Sequence, residues 1–245
     1  MTRIIMNGAN GHMGQVITQI VAGDDDCQIV AGIDPYTEQK NDYPVYASPA
    51  ECDVDADVII DFSNAKAVDG LLDYAAEKQI PVVLCTTGLS DAQIEKVNET
   101  SKKVAILRSA NMSLGINTLF ELLGKATKVF ADAGFDVEIV EAHHNQKLDA
   151  PSGTAIALAD AVNEAADGKY TYIYDRHDRR QKRDPKEIGI SSIRGGNIVG
   201  EHEVIFAGDD EVITFKHQAT SKSVFAKGAV EAAKFLKGKP AGLYN

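Results

Sequence analysis

R-I-I-M-N-G-A-N-G-H-M-G, residues 3–14, decides the fold. Arg3 to Asn7 is a short apolar run that reads as a strand. Met13 to Val21 reads as a helix, with Val16, Ile17, Ile20 and Val21 on one face. Between them Gly8 permits a tight turn, Gly11 lets backbone approach a pyrophosphate, and Gly14 lets the helix pack close to the sheet. A helix that starts here also aims N–H groups and a positive dipole end at an anion. The order strand, glycine loop, helix makes this a dinucleotide-binding motif rather than a plain turn.

Outward from that loop the same rhythm continues. Gln28 to Asp34, Asp57 to Phe62, Pro81 to Cys85 and Val104 to Leu107 read as strands. Ala65 to Lys78 reads as a helix, and Ser90 opens another, with Gln93 completing a capping-box pattern. This alternation predicts α/β architecture, a parallel sheet covered by helices. Ligands of such sheets bind at the carboxyl ends of the strands. Asp34 stands at the end of the second strand, where an acid can hold ribose hydroxyls and repel a 2′-phosphate. Pro35 and Tyr36 follow it and no arginine does, so the local chemistry favours NADH over NADPH. Lys40 is the nearby cation that could reach a 2′-phosphate. Asp61-Phe62-Ser63, Cys85-Thr86-Thr87-Gly88 and Ser109-Ala110-Asn111-Met112-Ser113 fall at other strand ends and are candidate cofactor contacts.

Beyond Leu114 the pattern changes. A long helix, about 115–131, leads into a strand from Val137 to Glu141. Then comes E-A-H-H-N-Q-K-L-D-A-P-S-G-T, residues 141–154, with His143, His144 and Lys147 close together. Ser152 is a good N-cap for a helix carrying Ala155, Ile156, Leu158, Ala159 and Val162. Free backbone N–H groups at a helix start can hold an anion. Proton donors beside an anion cradle point to chemistry on a small anionic substrate. Tyr170 to Tyr174, Ile188 to Phe206 (two strands) and Glu211 to Lys216 complete an α+β unit with a mixed or antiparallel sheet. Ser223 to Leu236 is an amphipathic helix that can return to the first unit. Asp175 to Glu187 is charge-dense; it reads as a solvated loop, or as cations able to close over an anionic ligand.

The formal net charge of −11 argues against nucleic acid or an anionic membrane as partner, without excluding a locally basic pocket. Cys27, Cys52 and Cys85 are odd in number and far apart, which suits reduced thiols in a cytoplasmic protein. The N-terminus runs straight into a strand, so no signal peptide is expected, and no run approaches the ~18 apolar residues of a membrane span. The adjacent histidines lack zinc-ligand spacing, and no metal is expected.

With these residues in hand, the chain resembles the dihydrodipicolinate reductase family nearly end to end. The family's most specific signature, a His-His pair, a lysine and then Asp-Ala-Pro-Ser-Gly-Thr, stands here as His143, His144, Lys147 and Asp149 to Thr154. G-A-N-G-H-M-G at 8, D-F-S at 61, T-T-G at 86, A-N-M-S at 110 and R-G-G-N-I-V-G-E-H at 194 support it. The resemblance implies a Rossmann-like domain for residues 1–114 and 217–245, and a substrate-binding and tetramerisation domain for 115–216. It implies NADH- or NADPH-dependent reduction of 4-hydroxy-tetrahydrodipicolinate, a small dicarboxylate, in diaminopimelate and lysine synthesis, by a homotetramer. It gives His143 the role of general acid/base and Lys147 that of second proton donor. His144, Gly153 and Thr154 would hold the dicarboxylate. Gly8, Ala9, Asn10, Gly11, His12, Met13, Asp34, Cys85, Thr86, Thr87, Ala110, Asn111, Met112 and Ser113 would hold the cofactor. Two positions depart from the family pattern. Cys85 stands where glycine is common, and His12 stands where many relatives have an arginine able to pair with a cofactor phosphate. The second departure adds to the preference for NADH.

Other readings predict different features. An aspartate dehydrogenase-like enzyme differs in the substrate that accepts hydride. A non-catalytic dinucleotide sensor would not need His143 and Lys147. A short-chain dehydrogenase needs a Tyr-x-x-x-Lys pair; Tyr36/Lys40 and Tyr74/Lys78 fit the spacing but lie too early in the chain.

Overall fold

Ile4 and Ile5, Ile59 and Ile60, and Val82 and Val83 are all closed to solvent. Neighbours along a strand face opposite sides, so the strands carrying them are covered on both faces, as a parallel sheet requires. The structure, a computed structural model, describes every residue other than Gln39, Lys40 and Ala110. The chain forms two units, residues 1–112 with 223–245, and residues 113–222.

In chain order the elements are β1 (Thr2–Asn7), α1 (His12–Ala22), β2 (Cys27–Ile33), β3 (Val45–Tyr46), β4 (Val58–Asp61), α2 (Ala65–Lys78), β5 (Val82–Leu84), α3 (Asp91–Ser101) and β6 (Ala105–Arg108). The second unit holds α4 (Leu114–Phe130), β7 (Asp136–His143), α5 (Gly153–Ala165), β8 (Thr171–Ile173), β9 (Glu187–Arg194), β10 (Gly200–Ala207) and β11 (Val212–Ala219). α6 (Ser223–Leu236) and β12 (Gly242–Tyr244) return to the first unit.

The first unit is a seven-stranded sheet in the order β12-β6-β5-β4-β1-β2-β3, every pair parallel. One face buries Ile4, Met6 and Ile60 with Ile17 of α1 and Ala226, Ala229 and Val230 of α6. The other buries Ile5, Ile59 and Val82 with Leu71 and Leu72 of α2 and Val97 of α3. Local chemistry sets the helix starts. Asn64 Oδ1 accepts from Lys66 N at 3.1 Å, and Ser90 with Gln93 forms the full capping box. Each such cap stabilises a helix by about 0.5–2 kcal/mol. The edge strands β3 and β12 are absent from the sequence reading, because two or three residues are too few to show alternation.

The second unit carries a five-stranded sheet, order β11-β10-β7-β9-β8. β10 runs antiparallel to β7 and β11, while β7, β9 and β8 are parallel, so the sheet is mixed. Leu119 and Leu123 of α4 and Leu158 and Val162 of α5 pack on Val137, Ile139, Ile188, Ile190, Val204 and Phe206. The second break between the units lies after Lys222, later than the expected 216/217. Gln218 and Ala219 still pair with β10, and a break at 217 would cut that strand.

The glycine loop is fixed by steric necessity. Gly8 has φ +85°, and a Cβ there would stand 2.3 Å from Phe62 O. A Cβ on Gly14 would stand 2.2 Å from Gly8 O and 2.6 Å from Ala9 O. Gly70, inside α2, has no atom within 4 Å of its Cβ position. Gly14→Ala is therefore expected to destabilise the protein by about 1–3 kcal/mol or more through forced backbone movement. Gly70→Ala is expected to stabilise it by about 0.5–1 kcal/mol through reduced chain entropy. Urea midpoints of the two variants check the opposite signs.

Candidate functional site

In the first unit the carboxyl ends of β1, β2 and β4 surround a cleft of about 670 Å³, whose walls include Gly8, Asn10, Gly11, Asp34, Phe62 and Ser63. That volume is within the usual range for a small-molecule site. Asp34 is almost fully buried. Its Oδ2 accepts from Asn10 N and its Oδ1 from Tyr36 N, each at 3.0 Å. Carboxylate oxygens carry further lone pairs, so Asp34 keeps acceptor capacity toward the cleft. Asn10 Nδ2 donates to Tyr36 O and Glu38 O, tying the loop to the chain after β2. Ser63 N donates to Thr86 Oγ1 at 3.1 Å and joins the ends of β4 and β5.

A dinucleotide fits these residues. The cradle exists because Gly8 and Gly14 lack Cβ atoms, and Gly11, the N-cap of α1, offers no side-chain cap, leaving the first turn to face an anion. Other candidate contacts sit differently. Ala9 and Met112 are buried in the core and Met13 packs against it, so they have backbone to offer a ligand. Ser113 is fully buried and caps α4, its Oγ accepting from Ile116 N. His12 and Thr87 are exposed, and Asn111 is half-buried. Burial drives the Cys85 thiol well above its ordinary range, so it is a neutral neighbour of Thr86. Lys40 and Ala110 lie outside the described residues. Tyr74 is a core residue whose hydroxyl donates to Cys52 O at 2.9 Å, which accounts for it without catalysis.

The second site is built along one face of the mixed sheet. Val137 and Ile139 on β7, Ile188 and Ile190 on β9, and Val204 and Phe206 on β10 form the core. The same face continues as Glu141 and His143, as Ser192 and Arg194, and as His202, because residues two apart share a face. Glu141 pairs with His202 and Ser192, and His143 with Arg194. Sequence predicts a strand that ends at Glu141; β7 continues through His143, which fixes that side chain by sheet geometry.

Glu141 has no exposed side-chain surface, and both its oxygens accept hydrogen bonds. Oε2 receives His143 Nδ1 at 2.6 Å and Arg194 Nη1 at 2.8 Å. Oε1 receives Arg194 Nη2 at 2.7 Å and Ser152 N at 3.1 Å. Burial opposes its ionisation, but hydrogen bonds from Arg194, Ser192 and His143 and the Arg194 charge bring its carboxyl down to about 2. Burial lowers His143 below its ordinary value, with Glu141 opposing that shift. His202 donates to or accepts from Ser152 Oγ at 3.0 Å, its ring lying edge-on to His143, and burial with that neighbour lowers it to about 4.

The following turn bears the remaining candidates. Lys147 N donates to His144 O, and Lys147 Nζ pairs with Asp149 at 2.8 Å. Burial opposes ionisation of Asp149, yet Lys147 and the backbone of Gly153 hold its carboxyl below the usual range. Arg194 Nη2 donates to Asp149 O at 2.7 Å. Ser152 caps α5, accepting from Ala155 N at 3.2 Å, as its position in sequence predicts. Gly153 is exposed at the helix start, Thr154 is buried and His144 half-buried. Glu141, Arg194 and His202 carry no assigned role in sequence, although Arg194 and His202 begin and end the R-G-G-N-I-V-G-E-H match. Period-two extension of Val137 and Ile139 was the signal that could have found the first.

The basic loop before β9 is accounted for by its own unit. Arg176 holds Glu138 through both oxygens, Arg179 holds Glu187, and Arg183 holds Asp136 and Glu138. These three cations pin the loop to the sheet, while Arg180, Lys182 and Lys186 remain exposed. Among the described residues no group of three or more His, Cys, Asp or Glu is placed to hold a metal ion, and no helix is long and apolar enough to cross a membrane.

A parallel sheet with a glycine cradle at its strand ends, in a chain that also buries a histidine against a carboxylate, fits the class that comparisons with known proteins show, an oxidoreductase that works with a nicotinamide dinucleotide. Residues 2–112 match the model described as dihydrodipicolinate reductase, N-terminus, and residues 115–245 that described as dihydrodipicolinate reductase, C-terminus. The chain is 51% identical to the 4-hydroxy-tetrahydrodipicolinate reductase of Caldanaerobacter subterraneus subsp. tengcongensis, over 100% of this chain and 96% of that one. It is 48% identical to the enzyme of the same name from Clostridium tetani, over 100% and 95%. Its fold matches that of a dipicolinate-bound dihydrodipicolinate reductase from Paenisporosarcina sp. TG-14, with TM-score 0.81, 22% identity and coverage of 99% and 97%. The chain belongs to the dihydrodipicolinate reductase family. That membership sets aside the aspartate dehydrogenase-like and sensor readings.

The buried groups make stability pH-dependent with a definite sign. His202 falls from 6.5 to about 4 on folding, so between those values the unfolded chain binds its proton and the folded chain does not. Stability therefore falls as pH falls through that window. Glu141 falls from 4.5 to about 2, so its contribution is present above pH 4.5 and is lost toward pH 2. Thermal midpoints are expected to drop steadily on acidification below neutrality. In His202→Gln the part of the drop between pH 6.5 and 4 should be smaller, with the steeper loss below 4.5 retained.

Proposed function

We propose that this protein reduces 4-hydroxy-tetrahydrodipicolinate to tetrahydrodipicolinate with a nicotinamide cofactor, in diaminopimelate and lysine synthesis. The observation that carries the reading is the arrangement of residues 141–154. The family signature closes on itself through Glu141, Ser152, Arg194 and Asp149, and so holds His143, Lys147 and the start of α5 in one constellation. When bound, NADH or NADPH supplies the hydride. Gly8, Asn10, Gly11 and Asp34 would hold its adenosine and pyrophosphate parts, and Cys85, Thr86, Thr87, Asn111, Met112 and Ser113 are candidates for the rest.

The protein's own residues handle charge and protons. Reduction of an unsaturated, nitrogen-conjugated carbon builds negative charge that a donor must quench. His143 is the general acid/base, presenting Nε2 because Nδ1 faces Glu141. Lys147 is the second donor, a cation held in place by Asp149. His144, Gly153 and Thr154 take the substrate carboxylates at the N-terminus of α5, where N–H groups and the helix dipole favour an anion. A carboxylate arriving there meets Asp149 already beside Lys147 and Gly153, so Asp149 must shift or share them. The protein acts in the cytoplasm as a homotetramer, a reading supported by the resemblance, and its mass in solution would be about four times that of the chain.

His143→Ala and Lys147→Ala are each expected to lower kcat by about 10²–10⁴-fold, the range of a lost acid/base group, with cofactor affinity kept. Oxidation of NAD(P)H coupled to enzymatic generation of the substrate measures this, and near-normal turnover in the double variant would sink the assignment. Asp34 at the cleft should make kcat/KM with NADH at least equal to that with NADPH; a much larger value with NADPH would refute it.

A further inference from the structure

We infer that Glu141 and Arg194 act as a pair of positioning residues, which fix the proton of His143 on Nδ1 and leave Nε2 as the atom that exchanges protons with the substrate. The inference rests on the reading of His143 as proton donor.

Three observations carry it. First, Glu141 cannot turn away. It is fully enclosed, and both oxygens are held, by the two Nη groups of Arg194 and by Ser152 N. Second, only a donor suits the remaining place on Oε2. An ionised carboxylate accepts and cannot donate, so the 2.6 Å contact requires His143 Nδ1 to carry hydrogen. Arg194 cannot lose its charge in a protein, and with it bidentate on Glu141 the carboxylate has no tendency to take that proton. Third, Nε2 lies beside a glycine and not beside a side chain of β10 at that place. A Cβ on Gly200 would stand 3.1 Å from Nε2, so the glycine at the start of β10 keeps that side clear.

Arg194 does a second thing in the same position. Its Nη2 also donates to Asp149 O, in the turn between Lys147 and the start of α5. One guanidinium thus links the orientation of His143 to the placement of the anion cradle. The charged and titratable groups around His143 are Glu141 on its own strand, Arg194 on β9, His202 on β10 and Lys147 in the turn. Among them Glu141 alone favours the protonated ring.

Glu141→Gln tests the charge at constant shape. Two donors, Ser152 N and Arg194 Nη2, converge on the Oε1 place, so the Gln oxygen sits there and its NH2 takes the Oε2 place, facing His143 and Arg194 Nη1. The ring must then accept at Nδ1, and its proton moves to Nε2. Histidine-selective ¹⁵N NMR of the wild-type enzyme should show Nδ1–H, Nε2-unprotonated imidazole for His143 at neutral pH, assigned by its loss in His143→Ala. Glu141→Gln should show the opposite tautomer. Its alkaline limb of kcat should move to lower pH by about 1 unit or more, the usual effect of losing an opposite charge at this distance. Cofactor affinity should be unchanged, and the loss should appear in kcat more than in KM. Wild-type His143 protonated on Nε2 overturns the inference without recourse to a variant, as does an unmoved pH limb in a folded Glu141→Gln. Normal turnover in His143→Ala would instead overturn the proposed function, while the tautomer measurement would stand on its own.

Discussion

A carboxylate with no water around it must be met by donors on every side. Glu141 is that group here, and the second unit is arranged to meet it. Removing one partner of a buried ion pair typically costs about 3–5 kcal/mol, because the other charge is left without compensation. Two strands and a helix start therefore have to keep register: β7 brings Glu141 and His143, β9 brings Arg194, and Ser152 brings a backbone N–H just before α5. Such a pair adds little net stability against an apolar replacement. What it supplies is a unique arrangement, since few positions satisfy all of its donors at once.

That arrangement is continuous with the hydrophobic core. Along β10 the face runs Phe206, Val204, His202, and along β7 it runs Val137, Ile139, Glu141, His143. Close packing at the apolar end holds the strands rigidly, and the polar end inherits that rigidity. The histidines are lowered by the same burial that makes the core. In the first unit rigidity has another origin. There the backbone itself is packed so closely at Gly8 and Gly14 that no side chain can enter, and the cleft is shaped by what is missing.

Much of this was legible in the sequence. The glycine loop, the strand and helix rhythm, the capping box at Ser90 and the N-cap at Ser152 are local rules that tertiary packing did not override. The helix at Ser223 was readable as a return to the first unit. β3 and β12 were not, because their existence depends on a neighbouring edge rather than on their own residues. The polar network was hidden for a related reason. Glu141, Arg194 and His202 lie far apart in sequence, and the face they share becomes visible when strand register is known. The arginines at 176, 179 and 183 carry charge that could serve a ligand, and sequence alone could not reveal that Glu138, Glu187 and Asp136 already hold them.

The first unit is discontinuous. Ala226, Ala229, Val230, Ala233 and Leu236 of α6 complete one of its two apolar faces, and β12 closes its edge beside β6. Domains emerging from a ribosome fold as units as soon as their residues are available. Residues 1–112 leave the ribosome first, yet one face of their sheet is covered by α1 alone until the last helix is made. The inserted unit, residues 113–222, is complete earlier. Synthesis therefore reverses the order of the chain: the part that handles protons can mature before the part that begins at the N-terminus, and a nascent chain truncated before Ser223 would expose the apolar surface that α6 covers to chaperones and proteases.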